Sequence, residues 1–530
     1  MFVPLLVTDF LKRAVKEYGK KVGVVDQEKR FTYAQLGERV NRLANGLLTL
    51  GIKKGDRVAV IDMNTHRLLE MYYGVPQIGA ILLPINIRLT SKEISYILND
   101  SEAKCLLVNQ DLVNLVEKDE LTRVEKYILM QDEPAKSGLG IEGEEYEELL
   151  GRASPSLERN FALDENDPVE MFYTSGTTGK PKGMLYTHRL LWISAIKDIF
   201  YGGVSDRTIY LHAIPLFHAN GWRKPHTIMA VCGRHVILRQ FRPEVACELI
   251  QRERVNYFEL VPTMGDILTN YEGLSQYDLS SVERIVLGGA SLSQATHEAL
   301  MEKFPGCLVY GGYGLSETAS CGTTSSLKDY LSDLPQEEKR RIMRKTGFED
   351  PVSQVRVVNE KGQDVKPDGK EMGEIIIRSN TVIDEYWRLP EETKGTIVDG
   401  WLYTGDIGVI DGDGYIEIVD RKKSIIISGG ENIGSVEIED VIRSHPAVLE
   451  VAVVAAPHEK WGETPAALVV LRESQSLTKE ELISFCRKRL AGFKVPRIVE
   501  FWDSLPKSGT GKVLKSKLKE KFWQSPGKKE

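Results

Sequence analysis

Residues 31–50 (FTYAQLGERVNRLANGLLTL) place their aromatic, Leu and Val positions three and four apart, which predicts an amphipathic helix. Residues 57–62 then form a short apolar run of strand type, residues 66–78 return to helical spacing, and residues 80–83 (AILL) are apolar again. This exchange of period continues to about residue 300 and is the rhythm of a layered α/β protein. Residues 327–345 (LKDYLSDLPQEEKRRIMRK) are highly charged with spaced Leu, Ile and Met, which predicts one surface helix joining two units. From residue 352 to 420 short β runs are punctuated by NEKG, PDG and DGDG, the signature of hairpins in a small β-barrel subdomain. Asp411 and Asp413 in the last of these lack the ligand series of a calcium loop and read as a tight turn. A further unit runs helix (436–444), strand (449–455), strand (466–471), helix (479–490), strand (498–502), a compact α+β domain. The predicted organisation is therefore a large α/β domain over 1–420, with its β-rich subdomain at about 352–420, followed by a small α+β domain over 421–530.

Residues 173–183 (YTSGTTGKPKG) change the picture from architecture to chemistry, because nearly every side chain is a hydroxyl, a hydrogen or a cation. Gly176, Gly179 and Gly183 let the backbone approach an anion, Thr174, Ser175, Thr177 and Thr178 add hydroxyl donors, and Lys180 and Lys182 add charge. Such a loop suits a polyphosphate. The apolar PVEMF before it and the helical spacing of 185–200 after it predict a strand-to-helix junction. It is not a Walker A loop, since Pro181 stands where GxxxxGK[ST], counted from Gly176, needs its second glycine.

Composition narrows the class. The apolar fraction of 42% and charged fraction of 27% are those of a soluble globular protein, and no apolar run approaches the roughly 18 residues of a membrane span. The first residues, MFVPLLVTDFLKRA, do not have the form of a secretory signal, and six cysteines scattered without metal-ligand spacing argue for reduced thiols, so a cytoplasmic protein is expected. A net charge of −7 disfavours nucleic-acid partners. The locally basic stretch from Lys494 to Lys521 on that acidic body suits anionic small substrates.

Four more segments complete the constellation: YGGYGLSET (310–318), GWLYTGDIG (400–408), DRKKSIIISGGEN (420–432) and PKSGTGK (506–512). With YTSGTTGKPKG, in this order and at these separations, they resemble the adenylate-forming superfamily of acyl-CoA synthetases, peptide-synthetase adenylation domains and luciferases, over roughly residues 30–520. The resemblance is closest to the medium- and long-chain fatty-acyl-CoA synthetases. It implies an ATP- and Mg2+-dependent conversion of a carboxylic acid to an acyl-adenylate, releasing pyrophosphate, and then to a CoA thioester, releasing AMP. The small C-terminal domain is implied to be mobile, with a hinge at Lys423.

The resemblance also assigns residues. Thr174 and Glu317 are placed at the Mg2+; Ser175, Gly176, Thr177, Thr178, Gly179 and Lys182 around the phosphates; Gly289, Gly311, Gly312, Tyr313, Gly314 and Ser316 around adenine and the acyl carbonyl; Asp406 on the ribose hydroxyls; Arg421 on ribose or phosphate. Lys512 is implied to act at the α-phosphate and carboxylate. Gly429 and Gly430 are implied to flank the CoA channel. The acyl pocket is implied to comprise His218, Trp222, Val261, Gly289 and Gly312, with Trp222 guarding a tunnel. His218 stands where amine-activating relatives carry an Asp, which argues against an amine substrate. Ser424 and Ile427 depart from the acidic residue and Lys common beside the hinge. Two other readings stay open: an aryl- or alicyclic-carboxylate CoA ligase, which a blocked pocket behind Val261, Pro262 and Gly289 would favour, and a non-catalytic nucleotide-binding regulator on the same fold. A homodimer is a further expectation.

Overall fold

The computed structural model describes residues 2–132, 141–157, 161–174, 180–218, 221, 223–290, 292–319, 322–429, 431–507 and 513–523. Two large sheets build the N-terminal domain. In the nine-stranded sheet the strands Leu308–Gly314, Arg284–Leu287, Tyr257–Leu260, Ile209–His212, Arg234–Ile237 and Val22–Asp26 follow one another in parallel, with antiparallel pairs at both edges. In the seven-stranded sheet the order is Glu144–Glu145, Lys126–Met130, Ala103–Asn109, Arg57–Ile61, Ile81–Pro84, Pro168–Thr174 and Lys182–Thr187, parallel until the last pair. Helices Tyr33–Thr49 and His66–Gln77 share one core with side chains of both sheets, among them Val24, Val58, Leu82 and Phe172. Every residue from His66 to Pro76 is buried, the charged Arg67 and Glu70 among them.

The predicted helix over 31–50 starts late, because Lys29–Thr32 pairs as a strand with Val22–Asp26 and Thr32 then caps the helix in a reciprocal box with Gln35. The single helix expected over 327–345 is two pieces, a short turn at Asp329–Leu331 and a helix at Gln336–Arg344. Pro335, at the N-cap of the second piece, lacks the amide that would join them. The stretch expected to be β-rich is a five-stranded antiparallel sheet built on the long strand Trp401–Ile410. Its Asp411 accepts from the amides of Asp413 and Tyr415, so DGDG is a tight turn.

The C-terminal unit adds two short strands, Ile426–Ser428 and Glu431–Ile433, to the expected series, and ends in helix Lys515–Trp523. Its long hairpin, Val448–His458 with Gly462–Leu471, is covered on one face by Ile438, Ile442 and Leu482 and on the other by Leu505 and Leu518. Among the described residues no helix is long and apolar enough to cross a membrane.

Asp26 closes a buried polar bridge in the N-terminal core. Its carboxylate meets His66 Nδ1 at 2.7 Å and Arg239 Nε at 3.1 Å, and the side chain is fully buried. Burial alone would push this carboxyl up; the His66 hydrogen bond and the Arg239 guanidinium outweigh it and hold it at about 2, against 3.8 for a free Asp. A carboxyl depressed on folding contributes stability above its unfolded value that is lost as pH falls through the folded one. The unfolding free energies of the native chain and Asp26→Asn should therefore converge by about 2 kcal/mol between about pH 4 and about pH 2. Urea unfolding of both proteins across that range reads it, and a constant gap would contradict it.

Candidate active site

Parallel sheets gather their loops at the carboxyl ends of the strands, where ligands of open α/β sheets bind. Thr174 ends one such strand, Pro168–Thr174. The expected strand-to-helix junction is instead a hairpin: Lys182–Thr187 runs back antiparallel with Thr174 opposite Lys182, and the helix starts only at His188, capped by Thr187. The sequence KGMLYT supplies the β-branched and aromatic residues that make that return strand, and helical spacing further on obscured it. Ser175, Gly176, Thr177, Thr178 and Gly179 lie outside the described residues.

The base of this hairpin meets Glu317. Lys182 Nζ lies 5.4 Å over the ring of Tyr386 and pairs with Glu392, while the Tyr386 hydroxyl donates to Glu317 Oε1 at 2.7 Å. Burial, with the Glu317 carboxylate, pushes the Tyr386 hydroxyl far up, so it stays a donor at neutral pH. Glu317 itself sits on the turn Ser316–Thr318, whose backbone is held by Tyr186 donating to the Ser316 carbonyl and Ile383 N–H donating to the Glu317 carbonyl at 2.9 Å. Thr174 and Glu317 are thus linked through Lys182 and Tyr386. Among the described residues no three His, Cys, Asp or Glu side chains group as a metal cage. One carboxylate and a hydroxyl are still the donor set that suits Mg2+, which takes one or two carboxylates and completes its shell with phosphate oxygens and water.

Strand Leu308–Gly314 leads into that turn and carries Tyr313. Its hydroxyl donates to Asp406 Oδ2 at 2.7 Å, and Arg421 Nε meets Asp406 Oδ1 at 2.7 Å. Burial, and then the Asp406 charge, raise the Tyr313 hydroxyl well above the ordinary phenol. Asp406 and Arg421 face each other because Trp401–Ile410 and Ile416–Arg421 are neighbouring strands with those two residues in register. Gly312 and Gly314 on the same strand are half-buried, as is Ser316 on the turn, and Gly311 is buried. Gly289, at the end of the adjoining strand, has φ +78° and is exposed, a conformation that favours glycine.

The segment expected to line the acyl pocket follows strand Ile209–His212. Asn64 donates to the carbonyls of His212 and Ile214 and accepts from Leu216 N–H at 2.7 Å, and Tyr72 donates to the Leu216 carbonyl at 2.6 Å, so 212–216 is clamped before it reaches His218. His218 is half-buried and Val261 follows strand Tyr257–Leu260; Trp222 lies outside the described residues. Sequence reading passed over the polar cluster beneath them. Lys224, fully buried, meets Glu259 Oε1 at 2.7 Å and the Tyr257 hydroxyl at 2.8 Å and pairs with Asp198, which also takes Arg223 at 3.2 Å. Burial would lift the Asp198 carboxyl, but Lys224 and Arg223 hold it well below the usual range. The visible signal was a Glu inside the otherwise apolar strand YFEL.

The chain turns sharply at 421–424, with Ser424 N–H donating to the Arg421 carbonyl at 2.8 Å, and Lys423 is exposed there. Ile427, one of the two departures noted beside the hinge, is 54% exposed. Gly429 has φ +62°, and a Cβ there would come within 2.7 Å of the Trp461 ring, so its bare Cα is used in packing. Gly430 and Lys512 lie outside the described residues. The flanks of the segment holding Lys512 are fixed: Lys507 and Val513 pair as an antiparallel bridge, and Leu514 N–H donates to the Pro506 carbonyl at 2.8 Å.

Residues 11–387 match the AMP-binding enzyme family and residues 437–512 the AMP-binding enzyme C-terminal domain. A 2-methylpropanoate–CoA ligase of Humulus lupulus is 36% identical over 533 residues, 98% of this chain and 95% of that protein. A long-chain-fatty-acid–CoA ligase of Thermus thermophilus is 37% identical over 527 residues, covering 97% and 95%. Among solved structures, ATP-bound MatB from Rhodopseudomonas palustris superposes with a TM-score of 0.85 at 27% identity, covering 98% of this chain and 99% of that one.

Proposed function

The chain belongs to the AMP-binding enzyme family, and from that premise we propose that it is an acyl-CoA ligase, activating a carboxylic acid with ATP as an acyl-adenylate and passing the acyl group to CoA. The observation that carries the reading is the pair of linked clusters on one strand and its turn: Tyr313 on Asp406 and Arg421, and, four residues on, Glu317 on Tyr386 beside Lys182. One cluster offers a buried carboxylate to ribose hydroxyls, the other a carboxylate and a cation to a polyphosphate. A non-catalytic regulator would need neither Glu317 nor Lys512 in addition to a nucleotide pocket.

Asp406 would accept from the ribose while Tyr313 and Arg421 fix its plane, and the Tyr313 ring would present a face to adenine. Lys182 would exchange Glu392 for phosphate oxygens, and the 175–179 amides and hydroxyls would hold the departing pyrophosphate. Mg2+, held by Glu317, Thr174 and phosphate oxygens, would supply charge neutralisation to the leaving group. Lys512 would act on the α-phosphate and the attacking carboxylate, so that catalysis is positioning and electrostatics with no protein nucleophile. Rotation about Lys423 would then bring Gly429 and Gly430 to the thiol channel.

Two acyl classes have support. A medium- or long-chain fatty acid agrees with the Thermus relative, and a compact acid agrees with the Humulus relative and with the polar cluster below Val261. CoA-dependent pyrophosphate release, measured over acids from acetate to palmitate and on benzoate, is expected to give turnover on at least one class. No turnover on any acid would overturn the ligase reading.

A further inference from the structure

Residues Glu259, Val286 and Tyr310 lie side by side on one face of the nine-stranded sheet, since Glu259 is in register with Val286 and Val286 with Tyr310. Two residues further on come Val261 and Gly288, each just past the end of its strand, and Gly312 within the third strand, about 7 Å nearer the carboxyl ends. Exposure falls along this path: Gly289 is exposed, Val261 and Gly312 are half-buried, Val286 and Tyr310 are each 9% exposed, and Glu259 and Lys224 are buried. A Cβ added at Gly312 would find its nearest neighbour, Val286 Cγ1, at 4.0 Å, so there is room for one beside Val286. One pleat in from Val261 and Gly312, this face of the sheet therefore carries Val286, Tyr310 and Glu259, the last of them a member of the Lys224 cluster.

That cluster is polar and buried. Lys224 touches Asp198, Glu259 and Tyr257 at once, and the Tyr257 hydroxyl donates to Glu259 at 2.7 Å. Two cations and two carboxylates balance. Glu259 Oε2 is buried without a hydrogen-bond partner among the described residues, so the cluster has a polar atom to spare. Arg223, just before the helix Lys224–Ala230, has φ +65°, a left-handed conformation rare for a long side chain, and this backbone turn points two consecutive cations inward. A hydrocarbon chain lengthened to this depth would have to displace a buried ion network, which costs far more than burying further methylenes gains.

We propose that the Asp198–Arg223–Lys224–Glu259 network is the floor of the acyl pocket and sets acyl size, so that the enzyme takes a compact acid, short, branched or single-ringed, and rejects long-chain fatty acids. This rests on the acyl-CoA ligase reading. It turns the choice between the two acyl classes on side chains peculiar to this sequence, and it makes Lys224 a specificity-determining residue.

The test uses the full chain and non-hydrolysable acyl-sulfamoyl adenosines with acetyl, benzoyl and dodecanoyl groups, titrated by calorimetry, beside turnover of the corresponding acids. The native protein is expected to bind the acetyl and benzoyl compounds and to bind the dodecanoyl compound at least ~100-fold more weakly. The double variant Lys224→Met/Glu259→Gln removes one charge of each sign and leaves Arg223 on Asp198. It should keep its affinity for the acetyl compound, which reports an intact fold, and recover most of the loss on the dodecanoyl compound. Equal native affinity for all three, or an intact double variant with undiminished discrimination, overturns the floor while leaving the ligase reading standing. Binding of none removes both.

Discussion

Replacing Lys512 with alanine is expected to lower acyl-adenylate formation by roughly a thousandfold, while the chain still makes acyl-CoA from supplied acyl-adenylate and CoA at close to the native rate. The two half-reactions ask for different things. In the first, a carboxylate approaches a phosphate that is itself anionic, and charge builds further in the transition state, so one well-placed cation is worth much there. In the second, a thiol attacks an acyl phosphate ester with AMP as leaving group, and that cation has no comparable task. Its described neighbours are held in place: Lys507 and Val513 pair as a bridge, and Lys507 is itself tied to Glu450 at 2.7 Å. Acid-dependent ATP–pyrophosphate exchange reads the first step, and thioester formation from synthetic acyl-adenylate reads the second. Equal loss in both would remove Lys512 from this role and point to a fault in the C-terminal domain as a whole.

What the residues disclosed in advance follows from the range over which each constraint acts. The α/β alternation of the first 300 or so residues and the helices of the C-terminal unit were legible because periodicity is a local property. The glycines, hydroxyls and cations crowded into eleven consecutive residues marked 173–183 as a candidate for polyphosphate, though its setting was misjudged: a return strand, Lys182–Thr187, precedes the helix. The helix expected over 327–345 was overruled by one proline, Pro335, that a hydrophobic pattern does not register. Contacts made by folding were invisible. Tyr386 reaches Glu317 across 69 positions, and Lys224 meets Glu259 from a different element, with only the charge in an apolar strand to hint at it. Gly429 was read as leaving room for a thiol arm, whereas in the fold its missing side chain also makes room for the Trp461 ring.

Asp406→Asn should raise the KM for ATP by roughly 10- to 100-fold with little change in the KM for the acid, since hydrogen bonds to a charged acceptor are worth about 1.5–3 kcal/mol. A carboxylate has about four acceptor sites, enough to hold the Tyr313 hydroxyl and Arg421 Nε, each at 2.7 Å, and to take the hydroxyls of a ribose. Asparagine keeps the shape but swaps one acceptor for a donor, which would face the Arg421 side chain or the Tyr313 hydroxyl. Asp406 is also 4% exposed and ties strand Ile416–Arg421 to its neighbour, so a purely structural role would equally lower activity. Substrate and residue must therefore be changed together. The native enzyme should prefer ATP to 2′-deoxy-ATP by roughly 10-fold or more in kcat/KM, and Asp406→Asn should lose most of that preference, because the hydroxyl then has no anionic partner to forfeit. A variant that is slower on both nucleotides yet keeps the native ratio would show that Asp406 holds strand Ile416–Arg421 in place and does not read the ribose.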